Sequence, residues 1–116
     1  MITDRGVDAL IVGADPLFNA RRDQLVPYAT RSKIPTIYEF REFARAGGLM
    51  SYGTDLGDAY RLGGIYVGRV LRGTKPEDLP IVQASRFELV LNLPAANLLG
   101  VTFPPTLLAR ADEVIE

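Results

Sequence analysis

Short apolar runs alternate with helix-length stretches along this chain, and that alternation leaves few folds open. "DALIVG" (8–13) is a continuous apolar run closed by glycine, the pattern of a strand buried on both faces in a parallel sheet. "IPTIYEF" (34–40) and "GLMSYG" (48–53) read as two further strands, and "IVQASRFELVLN" (81–92) as extended. Between them the spacing predicts a helix over 16–32, with Pro16 in its first turn and Pro27 kinking or stopping it. A short helix in "REFARAGG" stops at Gly47 and Gly48. The longest helix covers about 55–72, capped by Thr54 or Asp55 and ended by Gly73. Its apolar stripe is Leu56, Tyr60, Gly63, Val67 and Val70. "LPAANLLG" is a short helix, and "FPPTLLARADEVIE" ends in an amphipathic turn or helix. The order βαβαβαβαα predicts an α/β fold with a doubly wound, mostly parallel sheet.

Composition narrows the chemistry. The 116 residues suit one ordinary domain. With 13 basic and 14 acidic residues the net charge is -1, which argues against nucleic acid as a partner. The chain has no cysteine and no histidine. Disulfides, thiolate sites and Ser-His triads are thereby excluded, and a metal site or an enzyme is disfavoured. No cofactor motif is present: "VGADPLFNARR" lacks the glycines of a nucleotide loop, and Asp15 would repel a phosphate. The opening "MITDRGVDALIVG" is not a signal peptide, and no apolar stretch approaches bilayer length, so the chain as written would stay in the cytoplasm.

In open parallel sheets ligands sit beyond the carboxyl ends of the strands. That rule selects the loops 13–19, 38–42 and 51–55, which carry Asp15, Asn19, Tyr38, Glu39, Glu42, Ser51, Tyr52 and Asp55. Carboxylates beside aromatic rings suit a ligand with an ammonium group and an apolar body. Each residue also has a plainer role. Asp15 and Asp55 are good helix caps, Asn19 suits a solvated first turn, and the glutamates can pair with Arg41 and Arg45. Tyr38 and Tyr52 can close a core. Glu39 and Glu42 could also form a catalytic carboxylate pair, a reading disfavoured here.

The segments "GGLMSYGTDLGDAYRLGGIYVGRVLRGTKPEDLP", "FELVLNLPAANLLG" and "LLARADEVIE" strongly resemble the C-terminal part of bacterial ABC-transporter substrate-binding proteins. The TrpX-like subfamily, with a type I periplasmic-binding-protein fold, is the one the chain is similar to. The resemblance implies two α/β lobes with a ligand held between them and no chemistry performed on it. It also implies that this chain is the C-terminal lobe portion of a longer protein. Residues 1–53 would be a βαβαβ segment of the second lobe. Residues 54–79 would carry a helix packed on the first lobe, and 80–116 the returning strand and last helices. The resemblance makes Asp15, Asn19, Tyr38, Glu39 and Glu42 cleft residues, and 51–53 an interlobe crossing, with Ser51 and Tyr52 at the ligand and Gly53 as hinge. The partners it implies are a small-molecule ligand, an amino acid or related solute, and an ABC permease. The full-length family is periplasmic or lipoprotein-anchored.

Two expectations follow for the chain alone. Apolar faces meant for another lobe favour a homodimer, with the 55–72 helix or the 81–92 strand exchanged. Gly57, Gly64 and Gly68 would let the long helix sit close to a neighbour, in another lobe or within this chain. The competing reading is a standalone flavodoxin-like or receiver-like regulatory domain with Asp15 as phosphoacceptor.

Overall fold

Each apolar run of the sequence contributes a strand to one sheet. The computed structural model describes residues 6–82 and 86–116. The strands are β1 (Leu10–Val12), β2 (Thr36–Tyr38), β3 (Met50–Thr54), β4 (Phe87–Asn92) and β5 (Glu113–Ile115). They lie in chain order across the sheet. β1, β2 and β3 are mutually parallel, β3 and β4 are antiparallel, and β4 and β5 are parallel. The fold is thus α/β with a mostly parallel sheet, and among the described residues the β3–β4 pair is the one antiparallel seam. The order also departs from the 2-1-3-4-5 arrangement of flavodoxin-like sheets.

The helices are α1 (Pro16–Ala20), α2 (Arg22–Arg31), α3 (Arg41–Arg45), α4 (Leu56–Leu71), α5 (Leu93–Leu99) and α6 (Pro105–Arg110). The caps act as local chemistry dictates. Asp15, Asp55 and Asn92 each accept a backbone N–H of the helix they precede. Gly100 ends α5 in the left-handed region at φ 71°.

Four expectations about helix and strand placement need correction. The helix expected over 16–32 breaks at Arg21, not at Pro27, which α2 carries in its interior. The last residues form β5 rather than a helix, because the free edge of β4 supplies backbone partners that an isolated turn would lack. The strand expected over 81–92 begins only at Phe87, and residues 83–85 lie outside the described residues, as do residues 1–5. β1 is an edge strand rather than one buried on both faces: Ile11 is 81% exposed.

Register explains where the core sits. Val12, Tyr38, Ser51 and Val90 form one row across the sheet, and α2 and α3 cover it with Val26 and Phe43. Tyr38 stacks on Phe43 with centroids 4.9 Å apart. Asn92, buried at the end of β4, donates from Nδ2 to the Ala44 carbonyl and accepts the Ala95 N–H. Both bonds satisfy a side chain that would otherwise be costly inside. The next row, Ile11, Ile37, Met50 and Leu91, faces the opposite way. Its Leu91 end is buried with Leu49, Ala96 and Phe103, against which Leu107 and Leu108 of α6 pack. Its Ile11 end is open.

α4 departs from the body. No residue of it is buried, so the stripe expected as core is not one here: Tyr60 is 78% and Val67 59% exposed. Among the described residues a Cβ added at Gly63, Gly64 or Gly68 would meet nothing within 4 Å, so no packing among them accounts for those glycines. The chain's radius of gyration is 17.5 Å, where a compact chain of this length has roughly 13 Å.

Candidate functional site

The carboxyl ends of β1, β2 and β3 point the same way because these strands are parallel. Between them lies a hollow of about 200 Å³ lined by Ile11, Val12, Gly13, Ile37, Tyr38, Glu39 and Tyr52. It adjoins the point where β3 runs out toward α4. Tyr52 is 50% exposed, and its ring lies tilted beside Phe87 with centroids 6.0 Å apart. Glu39 follows β2 directly and is half-buried. A carboxylate, an open phenol ring and an apolar floor are thereby brought together.

Three of the seven expected contacts, Tyr38, Glu39 and Tyr52, line this hollow, and four do not. Asp15 is exposed and accepts the Leu17 N–H at 2.8 Å, the capping role. The Asn19 Oδ1 accepts from Arg22 at 3.1 Å. Glu42 lies in the first turn of α3 beside Arg41, 3.8 Å away. Ser51 faces the helix-covered side and is buried, and its Oγ has no hydrogen-bond partner among the described residues. Tyr38 lines the hollow but is only 2% exposed, since its ring belongs to the core beside Phe43. Burial pushes its phenol above the usual value of 10.0, partly offset by a hydrogen bond with Thr36.

Gly53 sits where no side chain fits. A Cβ there would meet the Glu39 carbonyl oxygen, so its backbone passes directly against the loop that carries the site's carboxylate.

An ion cluster at the base of α4 escaped the sequence reading. The Arg41 Nη1 donates to both Glu88 oxygens, at 3.3 and 3.2 Å, and lies 3.9 Å from Asp55. Arg86 reaches Asp55 at 3.7 Å. Asp55 is held below its usual carboxyl value, first by a hydrogen bond with the Glu88 carboxyl and then by the Asp58 N–H, the Arg41 guanidinium and the Gly57 N–H, against desolvation. Arg41 and Glu88 are 47 residues apart, so no local pattern could have revealed the pair. Among the described residues no group of three acidic side chains could hold a metal ion. Nor is any helix long and apolar enough to cross a membrane.

Comparison with known proteins gives a consistent answer. The pattern of the family described as ABC transporter substrate binding protein matches residues 2–115. A conserved domain protein from Vibrio cholerae has a similar structure, with a TM-score of 0.89 and 26% identity, over 97% of this chain and 38% of that one. So does an ABC domain from Streptococcus pneumonia, solved in complex with L-Trp: TM-score 0.88, 31% identity, 98% of this chain and 40% of that one. A substrate binding protein from Clostridium difficile, in a ligand-free, open structure, shares the fold at a TM-score of 0.60 and 21% identity, over 92% of this chain and 36% of that one. The chain therefore spans about two fifths of the length of these structures. No curated protein matches its sequence.

Proposed function

The chain belongs to the ABC transporter substrate-binding protein family, and from that premise we propose that it forms the C-terminal portion of a two-lobe solute-binding component of an import system. In this reading it captures a small molecule between lobes, performs no chemistry on it and delivers it to an ABC permease outside the cytoplasmic membrane. The observation that carries the reading is the hollow at the carboxyl ends of the three parallel strands, next to the β3 crossing. At about 200 Å³ it falls short of the roughly 300–1,000 Å³ that encloses a small ligand, as one wall of a cleft would.

The ligand class follows from the wall's chemistry. Glu39 pairs with an ammonium group, Tyr52 covers an apolar or aromatic body, and Ile11 and Ile37 complete the floor. An amino acid or a related solute meets those demands, and the similar Streptococcus structure holds L-Trp. Asp15, Asn19 and Glu42 lie outside this wall as it stands and would join the site only on closure. Ser51 lies buried on the helix-covered side of β3, away from this wall, and Gly53 serves the crossing. The exposed stripe of α4 would pack on a first lobe. In the chain alone, a second copy would cover it.

Calorimetric titration of L-Trp, other amino acids and small cationic solutes tests this, run on the chain and on the whole reading frame that contains it. Saturable binding is expected, weakened about tenfold or more by Tyr52→Ala or Glu39→Gln. Absence of binding in both forms across the panel would overturn the ligand class. Light scattering reports the self-association: a dimer is expected for the chain alone, and a clean monomer at high concentration contradicts it.

A further inference from the structure

The ion cluster at the base of α4 ties three segments that the sequence keeps far apart. Arg41 belongs to α3, on the covered face of the sheet. Gly53 pairs with Glu88 and Thr54 with Phe87 at the end of the β3–β4 ladder. Just beyond it the Asp55 N–H donates to the Arg86 carbonyl at 3.3 Å. Of the two carboxylates that Arg41 reaches, Glu88 therefore sits on β4 and Asp55 directly past the end of β3 as the cap of α4. Arg41 contacts Glu88 at 3.2 Å and Asp55 at 3.9 Å. The side chains of Glu88 and Asp55 are only 16% and 11% exposed, so solvent and salt screen this pairing less than an open surface pair.

We propose that Arg41 is a positioning residue that clasps both crossing strands to α3 and so sets the angle at which α4 leaves the sheet. Given the two-lobe reading above, on which this role rests, the same angle sets the resting opening of the cleft. The charges fit a clasp rather than a binding site. Arg41 and Arg86 face Asp55, Glu88 and Glu42, and the close contacts are satisfied within the cluster. Arg45 supplies an internal control. It pairs with Glu113 of β5 at 3.1 Å, wholly inside the body, with side chains 52% and 40% exposed. A hinge equilibrium responds to whatever contact differs between its states, and among the described residues Arg41 bridges the body and both segments of the crossing.

Because the chain has no cysteine, nitroxide labels at Gln24→Cys on α2 and Leu71→Cys on α4 report one distance without background. Both positions are exposed. Labelled chain diluted with unlabelled chain removes any intermolecular signal. A single narrow distance distribution is expected for the parent. Arg41→Gln should at least double its width or displace its centre, 1 M salt should do the same more weakly, and Arg45→Gln should leave it unchanged. If R41Q does not fold, Glu88→Gln replaces it with the same expectation. A folded R41Q or E88Q with the parent's distribution overturns the proposal, as does an equal effect from R45Q. The distances are read without ligand, so a failure of the clasp is separable from a failure to bind amino acids.

Discussion

Gly53 and Glu39 touch through their backbones: a Cβ at Gly53 would meet the Glu39 carbonyl oxygen and come within 2.7 Å of its Cγ. The glycine is therefore required by close approach, and not by an unusual φ, since Gly53 is absent from the positive-φ glycines of the chain. The contact joins the loop bearing the candidate carboxylate to the strand that leaves for α4. Displacement of β3 at Gly53 would then be felt directly at Glu39.

Gly53→Ala should destabilise the chain by about 1–3 kcal/mol, because the obstacle is backbone and cannot rotate away. Urea denaturation measures it. The same substitution should also weaken ligand binding, since relief of the clash displaces the Glu39 loop.

The glycines of α4 should respond in the opposite sense. Gly64 and Gly68 face open space, so alanine there meets no atom. At concentrations where the chain is monomeric, each substitution should stabilise it by roughly 0.4–1 kcal/mol through helix propensity and a less flexible unfolded state. In the longer protein, where the reading above places a neighbour on this helix, the same changes should lower stability. Thermal melts of both forms decide this.

Tyr38 should ionise above the usual tyrosine value of 10.0. Its folded pKa is raised by burial, so the unfolded chain loses this proton first as pH rises. The stability tied to its neutral form is complete below pH 10.0 and declines as pH climbs through the folded value. Absorbance titration at the phenolate band should show a component above pH 10.0 that Tyr38→Phe removes.

Asp55 behaves with the opposite sign. Its folded pKa is lowered, so its contribution is present above the unfolded value of 3.8 and is lost as pH falls through the folded one. Asp55→Asn should keep the cap to Gly57 and Asp58 while flattening the acid limb of the stability curve. Asp55→Ala should lose both. Denaturation midpoints between pH 2 and pH 7 separate the two variants.

What can be read from the sequence is what neighbours within four or five residues determine. The alternation of elements, the caps at Asp15 and Asp55, and the stops at Gly73 and Gly100 follow from such local bonding. The strand-end rule likewise selected Glu39 and Tyr52, which line the hollow at the strand ends. Pairing direction was not legible, since β3 and β4 run antiparallel although a helix separates them. Nor was β5, whose three residues suit a helix end equally well until the edge of β4 offers them partners. Periodicity named the apolar stripe of α4 without saying what covers it, and the alternation along β3 could not tell that Ser51 faces the covered side. Arg41 meets Glu88 only because α3 lies over the β3–β4 ladder. Such contacts depend on segments far apart in the chain, so only the assembled sheet decides them.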